Sequence, residues 1–181
     1  MRVSREQVEA NKKTIVAAAG RLFRQRGFDA VTVADVMKSA GLTHGGFYGY
    51  FRNKDELIAE ALAEALASTA GSPTDLGRFA RRYLALAHRD DLACGCPVAA
   101  LATETIRQSG GARTEMTSGL KRQIDRMSRV APGADTAEKR RAAIGTWAAM
   151  VGALILARMS EDQDLSDEVL EETRAWLAAK N

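Results

Sequence analysis

Residues 32–55, TVADVMKSAGLTHGGFYGYFRNKD, constrain the fold more than any other stretch, because they compress two short helices, a glycine turn and the start of a third helix into two dozen positions. Thr32 is suited to cap a short helix whose apolar positions Val33, Val36, Met37 and Ala40 follow helical spacing. Gly41 can adopt the left-handed conformation that stops it, and Leu42 anchors the turn. Thr43 is expected to cap a second helix through His44, Gly45, Gly46, Phe47 and Tyr48, its side chain accepting from free backbone N–H groups. Asn53, with Glu56 three residues on, reads as a capping-box start for a longer helix that leaves Lys54 at its exposed beginning. Helix, glycine-containing turn and helix is the helix-turn-helix arrangement, whose second helix enters the major groove of DNA.

The rest of the chain repeats the helical period. A first helix over about 5–26 carries Ile15, Ala18, Ala19, Leu22 and Phe23 on one stripe. After the helix from Asn53 to about Ala70, GSPT at 71–74 is expected to break the chain, followed by a helix over about 75–88. RDDLACGCP is an irregular link, and Pro97 is placed to begin a helix that Ser109, Gly110 and Gly111 end. Helices over about 112–130 and 136–159 and a last one to about 179 complete the chain. The segment GTWAAMVGALILA, 145–157, is apolar nearly all round, so it is expected to be covered on more than one side. The fold expected is all-α with about nine helices: a three-helix DNA-binding domain over 1–53 and a helical domain over 54–181.

Charge is distributed unevenly. Residues 1–55 hold ten Lys/Arg against five Asp/Glu, whereas 56–181 hold sixteen against eighteen. A basic head on a slightly acidic body suits a chain whose head meets phosphate. Cys94 and Cys96 are too close in sequence for a disulfide framework, the N-terminus has no apolar signal core, and a reducing, cytoplasmic setting without a membrane is expected. With two histidines, His44 and His88, and no phosphate loop, nucleophile elbow or paired metal motif, the sequence offers no catalytic constellation and no cofactor or metal site. A helical adaptor without DNA binding is the weaker alternative, since it requires no basic head.

An N-terminal helix ending LFRQRGFDAVTV, followed by ADVMKSAGLTHGGFYGYFRNKDEL and a helical body, resembles the TetR/AcrR family of bacterial transcriptional regulators over about residues 12–60. The resemblance implies a homodimer, usually a repressor, that binds a palindromic operator in double-stranded DNA and releases it when a small-molecule effector enters the body. It implies that His44, Gly45 and Gly46 meet base edges, that Tyr48, Tyr50 and Lys54 contact phosphates, and that Thr32 and Thr43 face the DNA backbone. The hydroxyl, ammonium and imidazole groups suit those roles. Gly45 and Gly46 depart from good helix formers at about 1 kcal/mol each relative to alanine, so either close approach to the groove or ordering on DNA must compensate.

The body offers three further expectations. Small residues Gly145, Ala148, Ala149 and Gly152 beside Trp147, Met150, Val151, Leu154 and Ile155 read as a dimer interface, and the resemblance implies that the last helix, with Val169, Leu170 and Trp176, forms its other half. Tyr83, Leu86, Cys96, Leu101, Met116, Leu120 and Trp147 are candidate lining residues for a ligand pocket. Cys94 and Cys96 offer an alternative switch, a thiol sensor of electrophiles or oxidants whose pKa would be lowered by His88, Arg89 or the helix start at Pro97.

Overall fold

The structure, a computed structural model, describes residues 4–68, 74–108 and 110–180. The helix end expected near Ala70, the break at 71–74 apart from Thr74, and Ser109 lie outside the described residues. Those residues form α1 (Arg5–Arg26), α2 (Val33–Ser39), a 3₁₀ helix (His44–Gly49), α3 (Lys54–Ser68), α4 (Leu76–Tyr83), α5 (Leu86–Asp90), α6 (Pro97–Thr105), α7 (Gly110–Ser128), α8 (Thr136–Met159) and α9 (Gln163–Ala178), with no strand among them. Short polar side chains begin many of these helices, satisfying N–H groups that the helix itself leaves free: Ser4 on α1, Thr32 on α2, Asp75 on α4, Asp135 on α8 and Asp162 on α9.

The chain departs from the simple periodic reading at several joints. The helix expected over 75–88 is two, because Leu84 and Ala85 leave helical geometry. The Tyr83 carbonyl, which a continuous helix would bond to the N–H four residues on, instead faces the His88 ring at Nδ1, 2.5 Å away. Gly110 and Gly111 do not end α6; they are the first residues of α7. Asn53 does accept from Glu56 N–H at 2.9 Å, but the Glu56 carboxylate bonds Arg52 N–H at 2.7 Å, so the expected capping box is shifted by one residue.

Two apolar cores result. The first gathers Ile15, Ala19 and Phe23 of α1, Val36 and Met37 of α2, Phe47, Phe51, and Leu57, Ile58 and Leu62 of α3, and it is closed by Leu101 of α6 and Ala112 of α7. Phe23 and Phe28 meet edge to face at 5.3 Å, and Phe47 and Phe51 stack at 5.5 Å. The second gathers Leu76 and Tyr83 of α4 with Leu84 just beyond it, and Met127, Trp147, Met150, Leu154, Leu170 and Leu177 from α7, α8 and α9. Because α3 packs on α1 and on α7, and because α6 and α7 complete the first core, the head is seated on the body through shared packing.

Polar ties reinforce that seat. The Glu104 carboxylate of α6 accepts from Phe28 N–H at 2.7 Å. Gly27, at φ 80°, makes this approach possible, since a Cβ there would lie 2.5 Å from Glu104 Oε1. Arg24 of α1 donates through Nε to the Ala93 carbonyl at 2.6 Å, which joins the head to the link carrying the cysteines. Lys12 pairs with Glu60 of α3 at 2.7 Å.

The apolar run of α8 has two destinations. Trp147, Met150 and Leu154, with Leu170 of α9, point into the second core, with Met150, Leu154 and Leu170 fully buried, so the expectation that these four form a dimer interface is corrected. A helix apolar on both faces does not reveal from its sequence which face is inward. The outward apolar set is Ile144, Ile155, Leu156 and Met159 of α8 with Leu165 and Trp176 of α9; Val151 and Val169 are half-buried at the boundary.

Glu104→Ala removes the carboxylate from a partly buried N–H and is expected to lower the unfolding free energy by about 1–2 kcal/mol in urea denaturation. Unchanged stability would show that apolar packing alone seats the head.

Candidate nucleic-acid interface and internal cavity

The helix-turn-helix segment of the head is built from the turn outward. Thr32 starts α2 with a reciprocal box, its Oγ1 accepting from Asp35 N–H at 3.1 Å while Asp35 Oδ2 accepts from Thr32 N–H at 2.9 Å and from the hydroxyl at 2.6 Å. Those bonds hold the Asp35 carboxyl below its ordinary value. Since the single hydroxyl proton is given to Asp35, Thr32 serves the helix start and has no donor left for a phosphate. Gly41, at φ 72°, then turns the chain, and Leu42 packs against the first core.

The segment that follows is a 3₁₀ helix, tighter than the α-helix expected: Gly46 N–H bonds the Thr43 carbonyl at 3.1 Å and Tyr50 N–H bonds Phe47 at 2.9 Å. Two glycines with low α-propensity make the shorter-range bonds competitive. Thr43 makes no side-chain cap, contrary to expectation, so its exposed hydroxyl is uncommitted at the start of the segment. Phe47 is the anchor, 1% exposed, and the residues around it point outward: His44, Gly45, Tyr48 and Gly49 are exposed, Tyr48 at 72%. A Cβ on Gly45 would meet nothing within 4 Å, and neither Gly45 nor Gly46 has positive φ, so the free fold does not demand glycine there.

Two of the expected phosphate contacts are held by the protein itself. Tyr50 is half-buried, its hydroxyl accepting from Asn11 Nδ2 at 2.9 Å, which leaves its own proton for an outside acceptor. Lys54 Nζ donates to the Phe28 carbonyl at 2.5 Å, so its ammonium also stitches α3 to the end of α1. Arg52, with a side chain 87% exposed, and Lys38, exposed on α2, were not among the residues singled out from sequence; Asn11, which orients Tyr50, was missed for lack of any local signal.

The body holds a partly open cavity of about 550 Å³ between α3, α4, the 85–98 segment, α7 and α8. Tyr83, Cys96 and Trp147 line it as expected. The other candidates do not. Leu101 and Met116 belong to the first core, and Leu86 and Leu120 lie partly in solvent at 44% and 38%. The sequence reading missed Phe79, His88, Gln123 and Arg126, which also face the cavity.

His88 ties two parts of its wall together. Its Nε2 accepts from Cys96 N–H at 3.0 Å, which makes the ring neutral and assigns the remaining proton to Nδ1, the donor to the Tyr83 carbonyl. Burial lowers its pKa from the ordinary histidine value of 6.5. Cys96 is buried, and burial pushes its thiol up rather than down; the nearby Tyr83 hydroxyl, the Ala99 and Val98 N–H groups at the start of α6 and the Arg158 guanidinium offset this only in part. The expected activation of Cys96 by His88, Arg89 or the helix start is therefore corrected: His88 is a neutral acceptor, and the Arg89 guanidinium is turned to Asp90, Ser166 and Asp167. Cys94 is exposed and both thiols are free. No cluster of metal-binding side chains occurs among the described residues.

Comparison with known proteins connects this geometry to others. Residues 15–61 match the family described as "Bacterial regulatory proteins, tetR family". The HTH-type transcriptional regulator TtgR of Pseudomonas putida is 38% identical over 69 residues, 38% of this chain and 32% of TtgR, so the chain spans about a third of that relative's length. The uncharacterized HTH-type transcriptional regulator Rv0196 of Mycobacterium tuberculosis is 25% identical over 190 residues, covering 96% of this chain and 97% of that one. In fold, the chain is similar to a TetR transcriptional regulator from Chloroflexus aurantiacus, with a TM-score of 0.75 at 21% identity over 97% and 98% of the two chains.

The His88 geometry carries a pH dependence. Above about pH 6.5 the ring is neutral in folded and unfolded chains and its two bonds contribute fully; below it the unfolded chain takes up a proton that the folded chain resists, so stability falls with falling pH. His88→Gln is expected to flatten the part of that fall that begins near pH 6.5, measured by thermal unfolding across pH. An identical slope would show that His88 titrates freely in the folded chain.

Proposed function

We propose, on the premise that the chain belongs to the TetR/AcrR family of transcriptional regulators, that it is a ligand-responsive repressor that binds a palindromic operator as a homodimer and releases it when a small molecule enters the body. The observation that carries this reading is the 3₁₀ segment with Thr43, His44, Gly45 and Tyr48 exposed above a buried Phe47. It sets an uncommitted hydroxyl, an imidazole, bare backbone and a phenol on one convex surface, the groups that meet base edges and phosphates. Little side-chain reach is available at Gly45 and Gly46, so close backbone approach and phosphate anchoring carry much of the affinity. Arg52 and Lys38 join Tyr48 and Tyr50 as candidate phosphate contacts.

The dimer is assigned to the outward apolar faces of α8 and α9, Ile144, Ile155, Leu156, Met159 and Trp176, which would pair with their copies across a two-fold axis. Domains assigned over 1–53 and 54–181 then act through the shared core: a ligand in the cavity shifts the 91–96 link, and Arg24 and Glu104 pass that shift to α1 and the α1–α2 turn. The effector acts only through its differential affinity for the two arrangements. A regulator of this kind works in the cytoplasm, where its DNA is. The buried thiol of Cys96 gives the thiol-sensor reading no support.

A gel shift with DNA from the region upstream of the protein's own gene tests the reading; a discrete complex is expected, and its absence would count against DNA recognition. Gly45→Ala is expected to leave stability unchanged or raise it by up to about 1 kcal/mol. The same substitution should weaken operator binding about tenfold if the backbone approaches the groove closely; equal binding by anisotropy would show that the paired glycines have another role. Ile155→Glu with Trp176→Glu is expected to yield monomers in light scattering, and a surviving dimer would move the interface elsewhere.

A further inference from the structure

The polar end of the cavity is made of donors that lack acceptors. Gln123 is 7% exposed, and its side-chain oxygen accepts from Arg126 Nη2. A guanidinium only donates, so this bond fixes the amide orientation and leaves Gln123 Nε2 as a buried donor without a partner. Arg126 Nε is buried and unpartnered as well. Arg126 forms no ion pair with a carboxylate among the described residues, and the charged groups close enough to act on it are Arg122 and Arg129, both cations. The local field is therefore positive and uncompensated.

The remainder of the lining supplies a different chemistry. Phe79 stacks near Trp147 at 6.4 Å and Tyr83 meets Trp147 edge to face at 5.3 Å, giving flat apolar walls. Arg82 adds a second cation over the Phe79 ring at 5.8 Å. The acidic residue on the wall, Asp91, has one oxygen committed to Cys94 N–H at 2.9 Å, and His88 is neutral. The volume of about 550 Å³ falls in the range of sites that hold small organic ligands.

We propose that the cavity binds a small organic anion with a flat, apolar body: a carboxylate that accepts from Gln123 Nε2 and the Arg126 guanidinium while its ring system lies against Phe79, Tyr83 and Trp147. A cationic or purely hydrocarbon ligand leaves both donors unsatisfied, whereas a carboxylate supplies the acceptors and the opposite charge together. That such a ligand controls DNA binding rests on the effector reading above; that it binds here rests on the cavity.

The test is calorimetric titration of the full chain with naphthalene-2-carboxylate and with its uncharged counterpart, naphthalene-2-carboxamide. The carboxylate is expected to bind about tenfold or more tightly than the carboxamide, the difference that one charge-assisted bond supplies. Arg126→Gln, checked for folding by circular dichroism, should erase that preference without weakening the carboxamide, and Arg126→Lys should keep part of it. Equal binding of the two compounds, no binding of the carboxylate at millimolar concentration, or a preference surviving in Arg126→Gln would overturn the anion site. If the carboxylate binds as expected while the protein's grip on its upstream DNA stays the same, the anion site stands and the effector reading falls. If the carboxamide alone binds and releases DNA, the effector reading stands and the anion site falls.

Discussion

The seating of Phe47 in a core that head and body share is the constraint on which the rest depends. The surface that would meet DNA is a six-residue 3₁₀ helix with three glycines, too short and too weak in propensity to hold itself in place. Phe47 pins it, stacked on Phe51, and the same core continues through α3 to Leu101 and Ala112. Close-packed interiors transmit displacement rather than absorbing it. A change in α6 or α7 therefore has a direct route to the reading element, with Glu104 and Arg24 adding polar ties on either side of Gly27.

The head was largely legible from its residues. Apolar spacing put Phe23 on the inner stripe of α1 and Val36 and Met37 on that of α2, all of them in the first core, and Thr32 and Gly41 sit where capping and left-handed turns put them. What was not legible are choices that depend on tertiary partners. Thr43 leaves its cap unmade, Lys54 turns back to the Phe28 carbonyl, and Tyr50 takes Asn11, thirty-nine residues away, as its partner. The 3₁₀ geometry could have been suspected from Gly45 and Gly46, whose cost in an α-helix is the same signal.

In the body, existence of helices was easier to read than their orientation. An apolar run such as that of α8 declares burial without saying on which side, and the side that turned inward holds Trp147, Met150 and Leu154. The cavity hid for a related reason. Apolar candidates such as Leu101 and Met116 are indistinguishable by periodicity from ordinary core, which they are. The informative residue was polar: Gln123 sits on α7 three residues after Leu120 and four before Met127, an amide on an apolar stripe, and an amide there needs a partner or a purpose. The joint between α4 and α5 depends on the ring of His88, which no local pattern announces.

Amide hydrogen exchange of the full chain, with and without DNA from the region upstream of its own gene, measures the link between reading element and body most directly. DNA is expected to protect amides over 43–50 and, through Arg24 and the Ala93 carbonyl, to change exchange over 91–96 at the cavity wall. Protection that spares 43–50, or that leaves 91–96 untouched while 43–50 is protected, would contradict a DNA-reading head governed through the shared core.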